Sequence, residues 1–506
     1  MALTLLTGGT LYDGSGKAPA QGDVLIDGDR IAAVGPGIPR PPSAEVVDCT
    51  GLAVAPGFID LHSHSDLQVL ENRREKPIQG VTTEVVGNCG FSPYPCGHDH
   101  EEEMREFANG IFRGGPAWRY ANAREYLAAV NQHSHLISVE SLVGHGSLRV
   151  GLFGNRQGEL PAAELEVLNG CLRDALDGGS AGFSTGLMYA PGSSAPQSEI
   201  EALCRTVART GKLYATHMRS YSFGLFESTE EQIAIARASG CRLQISHLQT
   251  VGHVNWDKQR RTLDRIEHAR EKEGVDIEFD IYPYQAGSTV LTQFLPQSAL
   301  DGGTPALLER LSNPDERARI AEGAVKQLAQ RWSDVFITSV ATEGNKHVVG
   351  KNLEEIGKMR GVEPQQAAID LILEEKALVN IVSFNQSVEN LRELLTHPLC
   401  SVISDGFYVN GRPHPRLHGT FPYLLGEIVR DRKWMPLETA IHKITAQPAA
   451  RLGLGDRGTL TPGLRADVTL FDAAKVAGPA SYEEPEQDPV GIASVYRAGK
   501  KVSVPA

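Results

Sequence analysis

The chain has 506 residues, of which 41% are hydrophobic and 22% are charged, a normal composition for a globular protein that could hold a barrel and an attached domain. Its formal net charge of −13 argues against a nucleic-acid-binding surface, which is usually basic. Its seven irregularly spaced cysteines do not indicate a disulfide framework, and no run is long enough to span a bilayer. Because the first residues also lack the features of a signal peptide, we expect a cytoplasmic protein.

Short strands separated by glycine-rich turns are predicted at both ends of the chain. They are Leu3–Leu6, Asp23–Ile26, Ile31–Val34, Val468–Phe471 and Ile492–Arg497. Neither end is long enough for a robust sheet by itself. We therefore predict one small β-sandwich domain from residues 1–54 and 452–506, with the chain leaving it and returning.

Between the two ends, apolar strands alternate with helical patterns, which predicts parallel strands joined by crossover helices. The predicted strands are Ala53–Asp60, Thr82–Val86, Leu136–Val143, Gly182–Ser184, Leu213–Thr216, Arg242–Ser246, Asp276–Asp280 and Cys400–Ser404. Eight such units predict a (β/α)₈ barrel over residues 55–451. We also predict an insertion at about 287–339, and a ninth apolar run at Leu378–Phe384 leaves the strand count open.

A His-x-His pair, His62 and His64, directly follows the first apolar strand. Alternate side chains of a strand share a face, so both imidazoles can bind one metal ion. Two other pairs have polar surroundings, and we interpret them as solvated loops: His98 with His100, and His133 with His135.

Further candidate ligands follow later barrel strands, where the active site of such a barrel lies. They are Cys89, His217, His247 and Asp405, while His145 fits a structural role nearly as well and stays outside the set. Imidazole, thiolate and carboxylate are ligands that suit zinc in an open catalytic site.

The chain resembles the amidohydrolase superfamily, and more closely its D-aminoacylase (N-acyl-D-amino-acid deacylase) branch, over nearly its whole length. The His-x-His motif identifies the superfamily, whereas Gly87-Asn88-Cys89-Gly90 and His414-Pro415-Arg416 identify the branch. The resemblance also includes Ser184–Tyr189, Thr216–Arg219, Asp280–Tyr284 and Gly463–Val468.

This resemblance implies a tightly bound zinc at Cys89, His217 and His247 and a weaker second site at His62, His64 and Asp405. Cys89 would bridge the two sites where many superfamily members use a carboxylated lysine. Arg416 would hold the substrate carboxylate, with Tyr282, Ser288 and Tyr189 also in contact with the substrate. Gln249 stands where matching enzymes often carry a lysine, so a positive charge is lost there.

The implied reaction is hydrolysis of an N-acyl-D-amino acid to a carboxylate and a free D-amino acid. Zinc lowers the pKa of a bound water, and Asp405 would take the proton and pass it to the departing amine. The partner would be a small molecule, without nucleic acid or membrane, and the oligomeric state stays open.

Three alternatives remain open from the sequence. The first is a related amidohydrolase acting on a cyclic or other amide, in the manner of a dihydroorotase, hydantoinase or dipeptidase. The second is a non-catalytic barrel that serves as a scaffold. The third makes Cys89 a covalent nucleophile with a histidine base.

Overall fold

The structure, a computed structural model, describes residues 3–97, 99–112, 118–409 and 411–502. The strands of these residues are β1 Leu3–Leu11, β2 Ala20–Asp27, β3 Arg30–Gly35, β4 Glu45–Asp48, β5 Ala53–Pro56, β6 Phe58–Asp60, β7 Val81–Val86, β8 Ser138–Gly144, β9 Gly182–Gly186, β10 Leu213–His217, β11 Arg242–Ile245, β12 Ile277–Ile281, β13 Ala286–Val290, β14 Val335–Ser339, β15 Asn380–Phe384, β16 Cys400–Val402, β17 Val468–Phe471, β18 Ile492–Arg497 and β19 Lys500–Lys501.

The α-helices are α1 Glu101–Ala108, α2 Ala123–His133, α3 His145–Phe153, α4 Ala162–Asp177, α5 Gln197–Thr210, α6 Leu225–Ser239, α7 Lys258–Lys272, α8 Gly303–Ser312, α9 Pro314–Gln327, α10 Leu353–Arg360, α11 Pro364–Glu374, α12 Val388–Thr396, α13 Arg416–Tyr423, α14 Leu437–Lys443 and α15 Ala446–Leu452. A π-helix, Leu424–Asp431, continues α13. Within the described residues, no helix combines the length and the apolar character that a lipid bilayer crossing requires.

Eight parallel strands form the barrel, in the order β6, β7, β8, β9, β10, β11, β12, β16. Beyond the strand ends, the first and last meet through a bridge between Ser63 and Gly406. All residues of β7, β9 and β10 are buried, as expected for strands covered on both faces. The predicted (β/α)₈ barrel is confirmed, and the closure brings the segments after β6 and β16 side by side.

Both ends of the chain form one mixed sheet, with the strand order β19, β18, β17, β5, β1, β2, β3 and β4 paired to β1. This sheet has its own apolar cluster, which includes Val24, Ile26 and Val468. The predicted second domain, built from both termini, is therefore present. The predicted boundary at residue 54 falls inside β5.

The single strand predicted over Ala53–Asp60 is divided at Gly57. β5 pairs with β1 and β17 in the terminal sheet, whereas β6 pairs with β7 in the barrel. A side chain at Gly57 would lie only 2.2 Å from Thr82 Oγ1, so glycine is required for this close approach. An uninterrupted apolar pattern gives no sign of such a change of sheet.

The predicted insertion at about 287–339 covers only the first part of an inserted lobe that runs from β13 to β15. The antiparallel strands β13, β14 and β15 form a separate sheet that ends at Phe384, and α8–α11 pack with it around a second apolar core. The ninth apolar run at Leu378–Phe384 is thus a strand of this inserted lobe, not of the barrel. β13, which pairs with this strand, begins only a few residues after β12 ends. The lobe therefore lies over the carboxyl ends of the barrel strands.

Candidate active site

Six candidate ligands lie together at the carboxyl ends of the barrel strands. They are His62 and His64 after β6, Cys89 after β7, His217 at the end of β10, His247 after β11 and Asp405 after β16. All six are buried, with exposures between 1% and 7%. The barrel therefore brings together residues that are as much as 343 positions apart in the sequence (405 − 62).

Three of these residues have a left-handed backbone, which is uncommon outside glycine. The φ angles are 54° at Cys89, 35° at His247 and 50° at Asp405. Hydrogen bonds hold these conformations: the His247 N–H donates to Asp280 Oδ1 at 2.7 Å, and the Asp405 N–H donates to the His62 carbonyl at 2.8 Å. Strained non-glycine residues of this kind concentrate at functional sites.

Cys89, His217 and His247 form one compact group. His247 Nε2 lies 3.4 Å from Cys89 Sγ and 3.1 Å from His217 Nδ1. In a tetrahedral zinc site, two nitrogen ligands are about 3.3 Å apart, and nitrogen and sulfur ligands are about 3.6 Å apart. The donor atoms and their spacing therefore fit one zinc ion.

A second group meets the first at Cys89. Asp405 Oδ1 lies 3.3 Å from both His62 Nε2 and His64 Nε2, and His62 Nε2 lies 3.4 Å from Cys89 Sγ. His62, His64 and Cys89 also form a compact donor set, as do His62, His247 and Asp405. Cys89 is thus placed to contact two metal positions, and its thiolate would be shared between them.

The electrostatics favour neutral imidazoles at His217 and His247, whereas at His62 burial is outweighed by Cys89 and Asp405, which raise its pKa well above the ordinary value. Burial, with His247 nearby, lowers the pKa of His217 well below its ordinary value, and burial lowers the pKa of His247 to about 4. Burial alone would raise the pKa of Asp405, but Arg416 and His62 outweigh it and hold that pKa well below the usual range. Neutral imidazole and ionised carboxylate are the forms that bind metal.

Asp280 contacts two of the candidate ligands, His62 and His247, which the sequence did not reveal. Its Oδ1 accepts from the His247 N–H and lies 3.5 Å from His62 Nδ1, while its Oδ2 accepts from Gln244 Nε2 at 2.8 Å. Carboxylates commonly fix a metal-binding histidine in this way. The feature of the sequence that could have indicated this role is the position of Asp280 near the end of β12, the strand that follows β11.

A buried ion pair supports the turn that carries Asp405. Lys76 Nζ contacts Asp60 Oδ2 at 2.5 Å and also contacts Ser404 Oγ. Asp60 accepts hydrogen bonds from the N–H and the hydroxyl of Ser404. Lys76 lies in a loop without a recognisable motif, so sequence analysis could not find it.

The ligands open into a cavity of about 360 Å³ between the barrel and the inserted lobe. All of the predicted substrate-binding residues line it: Tyr189, Gln249, Tyr282, Ser288 and Arg416. The Tyr189 ring packs against the His217 ring, with 4.9 Å between centroids. The Tyr282 hydroxyl donates to Gln249 Oε1 at 3.0 Å.

Arg416 lies beside Asp405, which the sequence spacing could not show. Its Nη1 is 2.9 Å from Asp405 Oδ2, and its guanidinium lies 4.6 Å from the centre of the Tyr282 ring. Nη2 donates to the Ser288 carbonyl at 3.4 Å, while Nε has no partner although it is buried. The Arg416 N–H donates to His414 Nδ1. This arginine therefore faces the cavity with donors to spare.

The other histidines considered in the sequence lie outside this cluster. His145 is buried and pairs with Glu199 at 2.8 Å, in agreement with a structural role. His100 contacts Glu103, and His133 and His135 are exposed. His98 lies outside the described residues.

A sequence model of the amidohydrolase family matches residues 45–503. The chain belongs to the amidohydrolase family. It is 34% identical to an N-acyl-D-aspartate deacylase of Alcaligenes xylosoxydans xylosoxydans, over 98% of this chain and 91% of that protein. A D-aminoacylase of the same organism is also 34% identical, over 98% of this chain and 94% of that protein. The predicted resemblance is confirmed.

The solved structures agree with this assignment. An N-acyl-D-glutamate deacylase from Bordetella bronchiseptica, complexed with zinc and a phosphonate inhibitor that mimics the tetrahedral intermediate, superposes with a TM-score of 0.84. The two proteins are 34% identical, and the match covers 99% of this amidohydrolase and 97% of that chain. The resemblance extends over the barrel, the terminal sheet and the inserted lobe together.

Proposed function

We propose that this amidohydrolase is a zinc-dependent hydrolase that cleaves N-acyl-D-amino acids to a carboxylate and a free D-amino acid. The observation that carries the proposal is the placement of Arg416 in the same cavity as the ligand cluster. An N-acyl amino acid has a scissile amide next to a carboxylate, so it needs both features together. The preference for the D-enantiomer comes from the relatives' activities.

Zinc is proposed at Cys89, His217 and His247, with a weaker position at His62, His64 and Asp405. When bound, it would supply an activated water at neutral pH and a positive charge that polarises the amide carbonyl. Asp280 accepts the His247 N–H and lies 3.5 Å from His62 Nδ1, so the His247 backbone is held in place before metal arrives.

Substrate binding and proton transfer would depend on the protein's own residues. Arg416 would hold the substrate carboxylate through its free guanidinium donors, because its planar fork matches the two carboxylate oxygens. The Tyr282 hydroxyl and Ser288 stand beside it. Asp405, ionised at neutral pH, would accept a proton from the attacking water and deliver it to the departing nitrogen.

The proposal is tested with zinc-loaded protein and N-acetyl-amino acids of both hands. Release of the free amino acid from the D-compounds, with little from the matched L-compounds, is the expected result. Hydantoin and dihydrouracil serve as cyclic-amide controls. Faster turnover of a cyclic amide than of every N-acetyl-D-amino acid would instead favour the hydantoinase-like alternative.

Purified protein should contain nearer one zinc than two. Cys89 is shared by both groups, and sharing a thiolate weakens its donation to the second ion. Elemental analysis after dialysis gives the zinc content per chain, and a titration with a weak chelator should remove the second ion first. Two equally tight zinc ions, or a carboxylated lysine found by mass spectrometry, would contradict this ligand assignment.

Arg416→Lys should lower kcat/KM for an N-acyl-D-amino acid about 10- to 100-fold, the equivalent of one lost charge-assisted hydrogen bond. Lysine keeps the charge but not the planar fork. The measurement compares the N-acetyl-D-amino acid with its carboxamide, which lacks the carboxylate and should be nearly indifferent to the change.

The matched control for this variant is Arg412→Lys. Arg412 contacts the backbone carbonyls of Tyr482 and Glu483 and does not line the cavity. It should leave both substrates unaffected. An equal loss on both substrates in Arg416→Lys would show that Arg416 has a structural role only.

A further inference from the structure

The segment that joins β17 to β18 is much longer than two antiparallel strands require. It comprises residues 472–491, which we call the C-terminal connection. This is 20 residues (491 − 472 + 1), whereas the loop between paired antiparallel strands usually has about two to five. The backbones of Ala477 and Val490 form an antiparallel bridge, so the residues between them leave the terminal sheet and return to it at one place. A connection of this length usually has a role beyond joining its strands.

The C-terminal connection packs on α13, the helix whose first residue is Arg416. A side chain at Gly478 would lie only 2.5 Å from the Gly419 carbonyl oxygen, so the two backbones are in direct contact. In the π-helix that continues α13, Arg430 Nη1 donates to the Val476 carbonyl at 2.6 Å. The helix that carries Arg416 is therefore held by a segment that belongs to the terminal sheet.

Tyr482 of the C-terminal connection packs on His414, which lies two residues before Arg416. The rings of Tyr482 and Tyr284 each meet the His414 ring edge to face, with 5.2 Å between centroids, a favourable geometry for aromatic pairs. His414 is only 4% exposed, whereas Tyr482 is partly exposed. Tyr482 is thus the outer ring of this group, and removing it would admit water to the imidazole.

His414 in turn fixes the backbone at Arg416. Its Nδ1 accepts the Arg416 N–H at 3.0 Å, and its Nε2 donates to the Ala286 carbonyl at 2.9 Å. Burial, with Arg416 nearby, lowers the pKa of His414 well below its ordinary value, so the ring is neutral and Nδ1 can accept. The imidazole therefore ties the first residue of α13 to the start of β13, and its orientation determines where the Arg416 side chain begins.

We propose that Tyr482 is a positioning residue for substrate binding: by holding His414, it keeps the Arg416 guanidinium in place for the substrate carboxylate. The inference rests on the proposed function and adds to it a residue from outside the barrel. Tyr482 is not among the described residues that line the cavity. Arg412→Lys would keep a donor to the carbonyls of Tyr482 and Glu483, so it remains a suitable control for Arg416→Lys.

Tyr482→Ala should lower kcat/KM for an N-acetyl-D-amino acid about tenfold, the upper range for the loss of an aromatic pair. The loss should appear mainly in KM, because a carboxylate that takes no part in the chemistry is held alike in the ground state and the transition state. The carboxamide of the same substrate should change by less than about twofold, since it has no carboxylate to misplace. Tyr482→Phe keeps the ring and should be nearly as active as the unchanged protein. Tyr482→Leu fills more of the space than alanine, and it should give the alanine pattern if the alanine variant is unstable.

A double-mutant cycle separates this role from a general structural one. If Tyr482 acts through Arg416, Tyr482→Ala should cause little further loss with the carboxylate substrate in Arg416→Lys protein. Independent losses that multiply would overturn the inference, and so would an equal loss on the acid and the carboxamide. Zinc content and circular dichroism check that each variant is loaded and folded.

Tyr12→Ala is the matched control, because Tyr12 is also partly exposed and is also absent from the described cavity wall. It should leave the ratio of acid to carboxamide turnover unchanged. The failures of the two proposals are distinguishable. No turnover of any N-acetyl-D-amino acid by the unchanged, zinc-loaded protein would overturn the proposed function and the inference with it, whereas a multiplicative cycle would overturn the inference alone.

Discussion

Cys89→Ala should abolish both zinc binding and turnover. Cys89 Sγ lies within 3.4 Å of both His62 Nε2 and His247 Nε2, so its loss removes the donor that the two metal positions share. Two histidines at the tight position would remain, fewer than the three protein ligands of catalytic zinc sites. Elemental analysis for zinc and an N-acetyl-D-amino-acid assay on the same preparation measure the two effects together.

Cys204→Ala is the matched control, because Cys204 is a fully buried free cysteine in α5 and is not a member of the ligand cluster. It should retain zinc and activity, with at most a small loss of stability from the cavity that it leaves. A Cys89→Ala protein that keeps its zinc but loses all turnover would favour the covalent-nucleophile alternative.

Asp405→Asn should retain zinc at the tight position and lower kcat at least about 10²-fold, the lower range for general acid–base catalysis. Asparagine keeps the size of the side chain and an oxygen that can accept from Arg416, but it cannot take up a proton at neutral pH. Because Asp405 is not part of the Cys89, His217 and His247 group, zinc there should be unaffected. Steady-state kinetics, zinc content and circular dichroism test the three parts of this expectation.

Asp13→Asn provides the comparison for a carboxylate that only shapes a turn. Asp13 accepts the Ser15 N–H at 2.8 Å in an exposed turn of the terminal sheet. This variant should be fully active. Near-normal turnover by zinc-loaded Asp405→Asn would remove Asp405 from the mechanism, and the base would then have to be sought elsewhere.

The ligand cluster could be predicted because it depends on a simple geometric rule. Parallel strands of a barrel end on the same side, so polar residues that directly follow apolar strands must meet. This rule predicts that His62, His217 and His247 lie close together, and the structure places them in one cluster. Their roles as ligands stay predictions until metal is measured.

Contacts between residues that are far apart in the sequence could not be predicted from this rule. Lys76 reaches Asp60 and Ser404 from a loop, and its distance from Ser404 in the sequence hides the contact. The ion pair between Arg416 and Asp405 likewise depends on how α13 begins, which no spacing rule describes. The division of the first strand and the true length of the inserted lobe depend on strand pairing, and pairing partners are not encoded in the apolar pattern of one segment.

The division between β5 and β6 at Gly57 has a practical consequence for protein engineering. The Gly57 N–H donates to the Asp467 carbonyl at 2.8 Å, and the Ile59 N–H donates to the Ile444 carbonyl at 2.8 Å. Only four residues separate Gly57 from His62, the first of the predicted metal ligands (61 − 58 + 1). A shortened version that begins at the barrel would therefore lose the anchor that sets the direction of β6, and it would misplace His62 and His64. Tags and fusion partners belong on the outer strands of the terminal sheet, and the junction at Gly57 should be left intact.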